Sequence, residues 1–272
     1  MVSNLGLVGY PVEHSLSPSI HSYFLSKYGI NGGYNTFSVA ERAELSIVMN
    51  FLERFNFKGL NITAPHKRAI IEHVQNVDDT VRVTGVANTL KMTRDGWLAH
   101  NTNIYGFERL LALNNIDVKD KKIFVAGAGG AAAAVLHVLH SKGVRSVAIA
   151  NRNEERVHVL KENLGGIDIS YLKYQSLKEK FSFDIVINCS SADWNNQIWL
   201  DHFWGEDNAI FGGHIPETAI DLQYAKPAGA EETGFLSRWK SVQKIDGLLM
   251  LWEQAANAFE IWFGILPEYS LE

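Results

Sequence analysis

Cysteine is almost missing from this chain. Cys189 is the single one in 272 residues, so no intrachain disulfide can staple the fold. Long apolar runs are missing too, and none reaches the roughly 18 residues of a membrane span. The opening Met1-Val2-Ser3-Asn4 has neither the charged nor the apolar region of a signal peptide and leads into a strand-like segment, so a soluble cytoplasmic protein is the default expectation. The formal net charge is only -5, with no long run of like charges, which counts against nucleic acid or a membrane surface as a partner. Internal repeats and low-complexity linkers are absent. Hydrophobic residues make up 46% and charged residues 20%, a globular balance that suits one large or two modest domains.

Against these absences stands one concentrated signal, Gly127-Ala128-Gly129-Gly130-Ala131. The apolar run before it, residues 122–125, reads as a buried strand, and the alanine-rich run 131–139 reads as a helix. Strand, glycine turn and helix in that order is the setting in which backbone can approach a pyrophosphate and a helix N-terminus can offer it N–H groups. Such a loop ordinarily opens a dinucleotide-binding domain, so the residues ahead of it must form something else.

Those residues alternate strand and helix. Strands are expected at 5–9, 34–38 and 59–63, with a hairpin of 88–91 and 97–101 around Asp95-Gly96. Helices are expected at 17–28, with Ser17 as N-cap and Pro18 in the first turn, at 41–55, and from His66 onward. The chain crosses to the second half near residues 101–106. There the strands are 146–150, 167–172, 184–188 and 219–222, with helices at 153–164 and 247–263; the last carries Leu248, Leu251, Ala255, Ala258, Phe259 and Trp262 at helical spacing. Both halves therefore read as α/β.

The strand ending at residue 150 runs into Asn151-Arg152, with Arg156 four residues on. An acid at this place would hold a ribose 2′-hydroxyl, whereas arginines accommodate a 2′-phosphate, so the cofactor is expected to be NADP. The competing reading is that Arg152 and Arg156 are ordinary surface helix residues. In the first half, polar side chains gather at strand ends in three segments: Gly9 to Pro18, Asn61 to Lys67, and Asn88-Thr89 with Asn101-Thr102-Asn103. They offer hydroxyls, amides and Lys67, without metal-ligand spacing, which suits a small polyhydroxylated molecule. His14 and His66 read as structural, and His137 with His140 lack a third ligand at useful spacing for a metal.

Taken together these segments resemble the shikimate dehydrogenases, in eight motifs that follow in order over almost the whole chain. They are His14 to Pro18, Asn61 to Lys67, Gly85 to Thr89, Asn101 to Asn103, Gly127 to Ala131, Asn151-Arg152, Asp221 to Tyr224, and Gly247 to Gln254. The resemblance implies two α/β/α domains with a cleft between them: a substrate domain of residues 1–102 plus 247–272, and a Rossmann NADP domain of 103–246. It implies that Ser15 and Ser17 bind the substrate carboxylate and that Thr63, Lys67, Asn88, Asn103, Tyr224 and Gln254 line the rest of the substrate site. Lys67 and Asn103 would stand at the catalytic positions. Gly127, Ala128, Gly129, Gly130, Ala131, Asn151, Arg152 and Arg156 would hold NADP, with Leu222, Gly247, Met250 and Leu251 near the nicotinamide. The implied reaction is reversible reduction of 3-dehydroshikimate to shikimate, in a monomer or homodimer.

The chain also departs from the family. Asn103 stands where the family has an aspartate that pairs with the lysine; it can still accept a hydrogen bond but cannot take a proton. Residues 188–193, Asn-Cys-Ser-Ser-Ala-Asp, lose a glycine near the cofactor, and residues 225–229 lack a Thr-Pro pair. Trp194, Trp199 and Trp204 follow the first of these and are expected to serve packing. Four readings stay open: an active shikimate dehydrogenase, a quinate/shikimate enzyme, a ligand-binding protein that has lost catalysis, and a methylenetetrahydrofolate-type dehydrogenase, against which the Ser15/Ser17 turn and the Gln254 helix count.

Overall fold

The computed structural model describes residues 2–172, 182–191, 214–224 and 230–270. The chain divides into two compact units, Met1–Leu110 with Leu251–Glu272, and Leu111–Met250.

The first unit holds a mixed six-stranded sheet. Its strands are β1 (Ser3–Gly9), β2 (Gly32–Ser38), β3 (Phe57–Ile62), β4 (Asn76–Val77), β5 (Thr89–Thr93) and β6 (Gly96–His100), in the order β2-β1-β3-β5-β6-β4. β1 pairs in parallel with β2 and β3, whereas β5 runs antiparallel to β3 and β6. The strand period of two sorts the core. Leu5 and Leu7 of β1 pack with Ile20 and Phe24 of helix α1 (Ser17–Lys27) and with Ala255, Phe259 and Trp262 of the C-terminal helix Leu248–Phe263. Val8 points the other way, to Leu60 and Ile62 of β3 and to Leu45, Met49 and Leu52 of α2 (Leu45–Arg54). Gly59 is required by the first packing: a Cβ there would lie 2.2 Å from Trp262 Nε1, which donates to Leu90 O at 2.9 Å.

Three local expectations need correction. Ser17 is the first residue of α1 rather than its cap; Leu16 holds the cap position without a side-chain bond, and Ser15 Oγ accepts from Ser17 N at 3.2 Å. The helix expected over 41–55 is split, a 3-10 turn at Arg42–Glu44 closed by a Glu41/Glu44 capping box preceding α2. The helix expected from His66 is only a 3-10 turn, Ala69–His73. The β-branched Ile70, Ile71 and Val74 favour extended chain, and Gln75 Oε1 accepts from Trp97 N at 2.6 Å, drawing the segment into the sheet as β4. A short helix α3 (Asp79–Thr84) follows, capped by Asp78 and ended by Gly85 at φ +65°.

Helix α4 (Asn103–Leu113) leads into the second unit. Its sheet is wholly parallel: β7 (Ile123–Ala126), β8 (Ser146–Ala150), β9 (Asp168–Leu172), β10 (Ile185–Asn188), β11 (Thr218–Asp221) and β12 (Gln243–Asp246), in the order β12-β11-β10-β7-β8-β9. That order reverses direction between β7 and β10, the doubly wound pattern in which ligands bind at the carboxyl ends of the strands beside the reversal. β7 and β10 are buried at every residue, which is why they read as continuous apolar runs. Helix α5 (Gly130–Ser141) follows β7 and α6 (Glu154–Asn163) follows β8. The C-terminal helix Leu248–Phe263 is α7.

Candidate active site

In the first unit the site is built from the ends of β1, β3, β5 and β6. Gly9 has no side chain because the loop after β3 passes over it: a Cβ would lie 2.2 Å from Thr63 Cγ2 and 2.8 Å from Ala64 O. Tyr10 N to Ala64 O at 2.8 Å and Thr63 N to Val8 O at 2.9 Å tie the two loops, bringing the Ser15 turn and the Thr63–Lys67 loop together. His66 is buried and its Nε2 meets Val39 O at 2.7 Å, a structural contact. Lys67 O accepts from Ala87 N at 2.8 Å, which holds the lysine one residue from Asn88. Ser15, Thr63 and Lys67 are half-buried, and Ser17 is buried.

Asn88 is the hub. Thr102 N donates to its Oδ1 at 2.7 Å, and its Nδ2 faces three acceptors, Thr102 Oγ1 at 2.9 Å, Gln254 Oε1 at 3.1 Å and Asn103 Oδ1 at 3.2 Å. Gln254 Nε2 is turned to Leu251 O at 2.8 Å. Below the hub, Asn61 Nδ2 donates to Thr89 Oγ1 at 3.1 Å and its Oδ1 accepts from the Tyr34 hydroxyl at 2.8 Å. Asn61, Thr89 and Thr102 lie in the polar strand-end segments read from sequence but were given no role of their own there, and Tyr34 was read only as part of a strand. Within this polar patch Lys67 is the one cation among the named residues, and burial pushes its ammonium down to about 8. Among the described residues its Nζ has no hydrogen-bond or ion-pair partner. Asn103, at the first turn of α4, is 6% exposed, and its Nδ2 is buried without a partner among the described residues.

The second unit carries the glycine turn. Gly127 has φ +102°, donates its N–H to Ala150 O at 2.8 Å, and would place a Cβ 2.9 Å from Ser190 N. Gly129 is the N-cap of α5, has no side-chain cap, and a Cβ there would meet nothing within 4 Å. The first-turn amides of α5, at Gly130 and Ala131, are thus left uncovered by any cap, with open space before them, a fit for a pyrophosphate. At the end of β8, Asn151 Nδ2 donates to Asn153 O at 2.7 Å, and Asn153 caps α6 by accepting from Arg156 N at 3.4 Å. Arg152 and Arg156 are exposed there, and no acid stands between β8 and Asn153.

Beside the turn lies a buried network that the sequence reading missed. Asn188 Nδ2 donates to Asp221 Oδ1 at 2.8 Å, Thr233 Oγ1 donates to Asp221 Oδ2 at 2.6 Å, and Gln223 Nε2 donates to Ser190 O at 2.9 Å. Burial pushes the Asp221 carboxyl up. The network fixes the loops after β10 and β11, and Gly247 fits against them only as glycine, since a Cβ would lie 2.1 Å from Leu222 O. An aspartate closing an apolar strand was the available clue. Burial likewise raises the Cys189 thiol.

Of the residues singled out from sequence, Ser15, Ser17, Thr63, Lys67, Asn88, Asn103 and Gln254 belong to the first unit, and so does Leu251. Gly127 to Ala131, Asn151, Arg152, Arg156, Leu222, Tyr224, Gly247 and Met250 belong to the second. Ala192, Asp193, Trp194, Trp199, Trp204 and residues 225–229 lie outside the described residues. No metal-holding group of His, Cys, Asp or Glu occurs among the described residues, and none of their helices is long and apolar enough to cross a membrane.

Three family models match along the chain: the shikimate dehydrogenase substrate binding domain over residues 7–90, shikimate / quinate 5-dehydrogenase over 110–197, and the shikimate 5'-dehydrogenase C-terminal domain over 247–271. The chain is 35% identical over 269 residues to a shikimate dehydrogenase (NADP(+)) of Caldicellulosiruptor saccharolyticus, covering 97% of this chain and 94% of that protein. It is 36% identical to the protein of that name from Hyphomonas neptunium, covering 98% and 94%. Its fold is similar to a Thermus thermophilus shikimate 5-dehydrogenase solved in complex with NADP(H) and shikimate, with TM-score 0.78, 28% identity and coverage of 98% and 95%. With these likenesses running the length of both units, the chain belongs to the shikimate dehydrogenase family.

Proposed function

We propose that this chain is an NADP-dependent shikimate dehydrogenase that reduces 3-dehydroshikimate reversibly to shikimate. The observation that carries the reading is Lys67: a half-buried lysine, held down to about 8 by burial, tied through its own carbonyl to the segment that ends in Asn88. A lysine with its proton so loosely held can give it to an oxygen and take it back near neutral pH.

NADPH, when bound, supplies the hydride to the carbonyl carbon. Lys67 gives the ketone oxygen its proton, so that one hydride and one proton turn the ketone into the alcohol, and the reverse reaction returns both. Ser15 and Ser17 hold the carboxylate, and Thr63, Asn88, Tyr224 and Gln254 match the ring hydroxyls. Asn88, Thr102 and Gln254 hold one another through the bonds given above, so the ring meets donors and acceptors whose positions are fixed beforehand. Gly127 to Ala131 cradle the pyrophosphate on the α5 N-terminus. Arg152 and Arg156 clamp the 2′-phosphate, with Asn151 and Asn153 setting the turn that presents them. Leu222, Gly247, Met250 and Leu251 border the nicotinamide.

Asn103 gives a second reading some weight, because no carboxylate stands at that position to support Lys67: a protein that binds shikimate and NADP without turning them over. Calorimetry run beside turnover separates the two. Binding of both ligands with NADPH formation is the expected result; binding without turnover favours the second reading, and absence of binding contradicts both.

A further inference from the structure

Tyr34 is the one buried residue of β2, and the chemistry given above makes no use of it. β2 and β3 flank β1, and the register puts Tyr34 and Asn61 on one face of the sheet: Tyr34 pairs with Leu5, and Leu7, two residues on, pairs with Asn61. Helix α1 covers that face and stacks His21 on the phenol ring at 4.6 Å, with 10° between the planes. The stacked ring aims its hydroxyl at Asn61 Oδ1, 2.8 Å away. Tyr34 is 8% exposed and Asn61 4%, so both depend on protein partners rather than on water.

The direction of that bond is fixed from the far end of Asn61. Amide oxygen and nitrogen are told apart by their partners. One end of the amide faces the backbone carbonyl of Asn88 at 3.3 Å, which only accepts, so that end is the NH2 group. The same group reaches Thr89 Oγ1 at 3.1 Å. The other end is therefore Oδ1, and the single hydrogen of the phenol goes to it. Burial pushes the phenol above its ordinary value, so that hydrogen stays in place well past neutral pH, while the phenol oxygen accepts from the Ser17 hydroxyl.

Beyond Asn61 the bonds continue to the hub. Thr89 Oγ1 lies 3.0 Å from Thr102 Oγ1, which lies 2.9 Å from Asn88 Nδ2. We infer that Tyr34 is a positioning residue for the substrate: its hydroxyl locks the Asn61 amide in one orientation, and Asn61 in turn holds the carbonyl of Asn88 and the hydroxyl of Thr89. The inference rests on the proposed substrate, whose ring hydroxyls Asn88 matches. Without the phenol hydrogen, Asn61 Oδ1 becomes a buried acceptor that has lost its donor. An amide that turns in response sets its oxygen against the Asn88 carbonyl, and the hub loses its fixed geometry. Tyr34 and Lys67 touch the site from different strands, and the nucleotide turn belongs to the second unit, so the effect is confined to substrate binding.

The test is steady-state oxidation of shikimate with NADP, beside NADP binding, in the wild type, Tyr34→Phe, Asn61→Leu and the double variant. Tyr34→Phe removes the hydroxyl and keeps the ring on His21. The KM for shikimate should rise roughly tenfold in this variant. Its kcat, the pH profile set by Lys67 and the NADP affinity should stay at wild-type values, which a general loosening of the fold would not allow. In the Asn61→Leu background the loss of the hydroxyl should add nothing, since the phenol acts through Asn61. Thermal melts check folding. If Tyr34→Phe does not fold, 4-aminophenylalanine at position 34 decides: it still donates to Asn61 and should keep the wild-type KM, and a raised KM there overturns the inference. A folded Tyr34→Phe with the wild-type KM overturns it, as does an equal loss of NADP affinity or a fully additive double variant. A wild type that does not turn over shikimate overturns the proposed function itself, and the inference with it.

Discussion

At the scale of single residues the proposed chemistry falls to Lys67 and Asn103, and both make measurable demands. With Lys67 down at about 8, its charged form dominates below that pH and its neutral form above it. Reduction needs the ammonium as proton donor, so its rate should fall as pH rises through about 8; oxidation of the alcohol needs the neutral amine and should rise through the same range. Lys67→Met should lower turnover roughly 10²- to 10⁴-fold while leaving shikimate affinity nearly unchanged, read as a fall in kcat at similar KM. By the family resemblance, Asn103→Asp gives this lysine back the carboxylate partner that the family's lysine has. It should raise the lysine pKa, move both profiles to higher pH, and raise turnover by a factor of the same order as a regained acid–base partner, about 10² to 10⁴. An unchanged rate and profile in that variant would mean that the amide at 103 does not limit the reaction.

At the scale of elements, the glycine turn separates a steric role from a ligand role. Gly127→Ala places a Cβ against Ser190 at a φ of +102°, so it should cost roughly 1–3 kcal/mol of stability as well as NADP affinity. Gly129→Ala meets open space, so the melting temperature should hold while NADP affinity falls, because only the bound pyrophosphate would touch the new methyl group. Thermal melts with nucleotide titrations read both; a loss of stability in the second variant would show that the space is not the ligand's. The same turn explains what was legible in the sequence. β7, β8 and β10 are short apolar runs bounded by polar or glycine residues, so they stand out. β4 and β12 do not: Asn76-Val77 is too short for any period, and Gln243-Lys244-Ile245-Asp246 is a polar edge strand whose pairing with β11 comes from tertiary context. The aborted helix after His66 was hidden for the same reason, since the bond from Trp97 to Gln75 that ends it spans 22 residues. In the polar patch the hub residue Asn88 was legible from its motif, but the orientation of each amide was not, because it follows from hydrogen bonds between residues as far apart as 88 and 254.

At the scale of the whole molecule, two units each carry their own sheet and core, and stability in acid has an identifiable weak point. His21 is fully buried in the first unit, stacked on Tyr34 at 4.6 Å and packed near Trp262, and burial pushes its imidazole down to about 3. Its folded value lies below the unfolded one of about 6.5, so the unfolded chain binds a proton that the folded chain refuses. Stability from this group is complete above about pH 6.5 and declines toward pH 3, by up to about 1.4 kcal/mol per pH unit. His21→Phe should flatten that part of the stability–pH curve in denaturant titrations, and a curve as steep as that of the wild type would remove His21 as the cause. The most direct measurement follows the absorbance of reduced nicotinamide with shikimate or quinate and NADP or NAD, in all four combinations. The account predicts the fastest reduction with shikimate and NADP, weak activity with NAD, and slower reaction with quinate; no reduction in any of the four would contradict it.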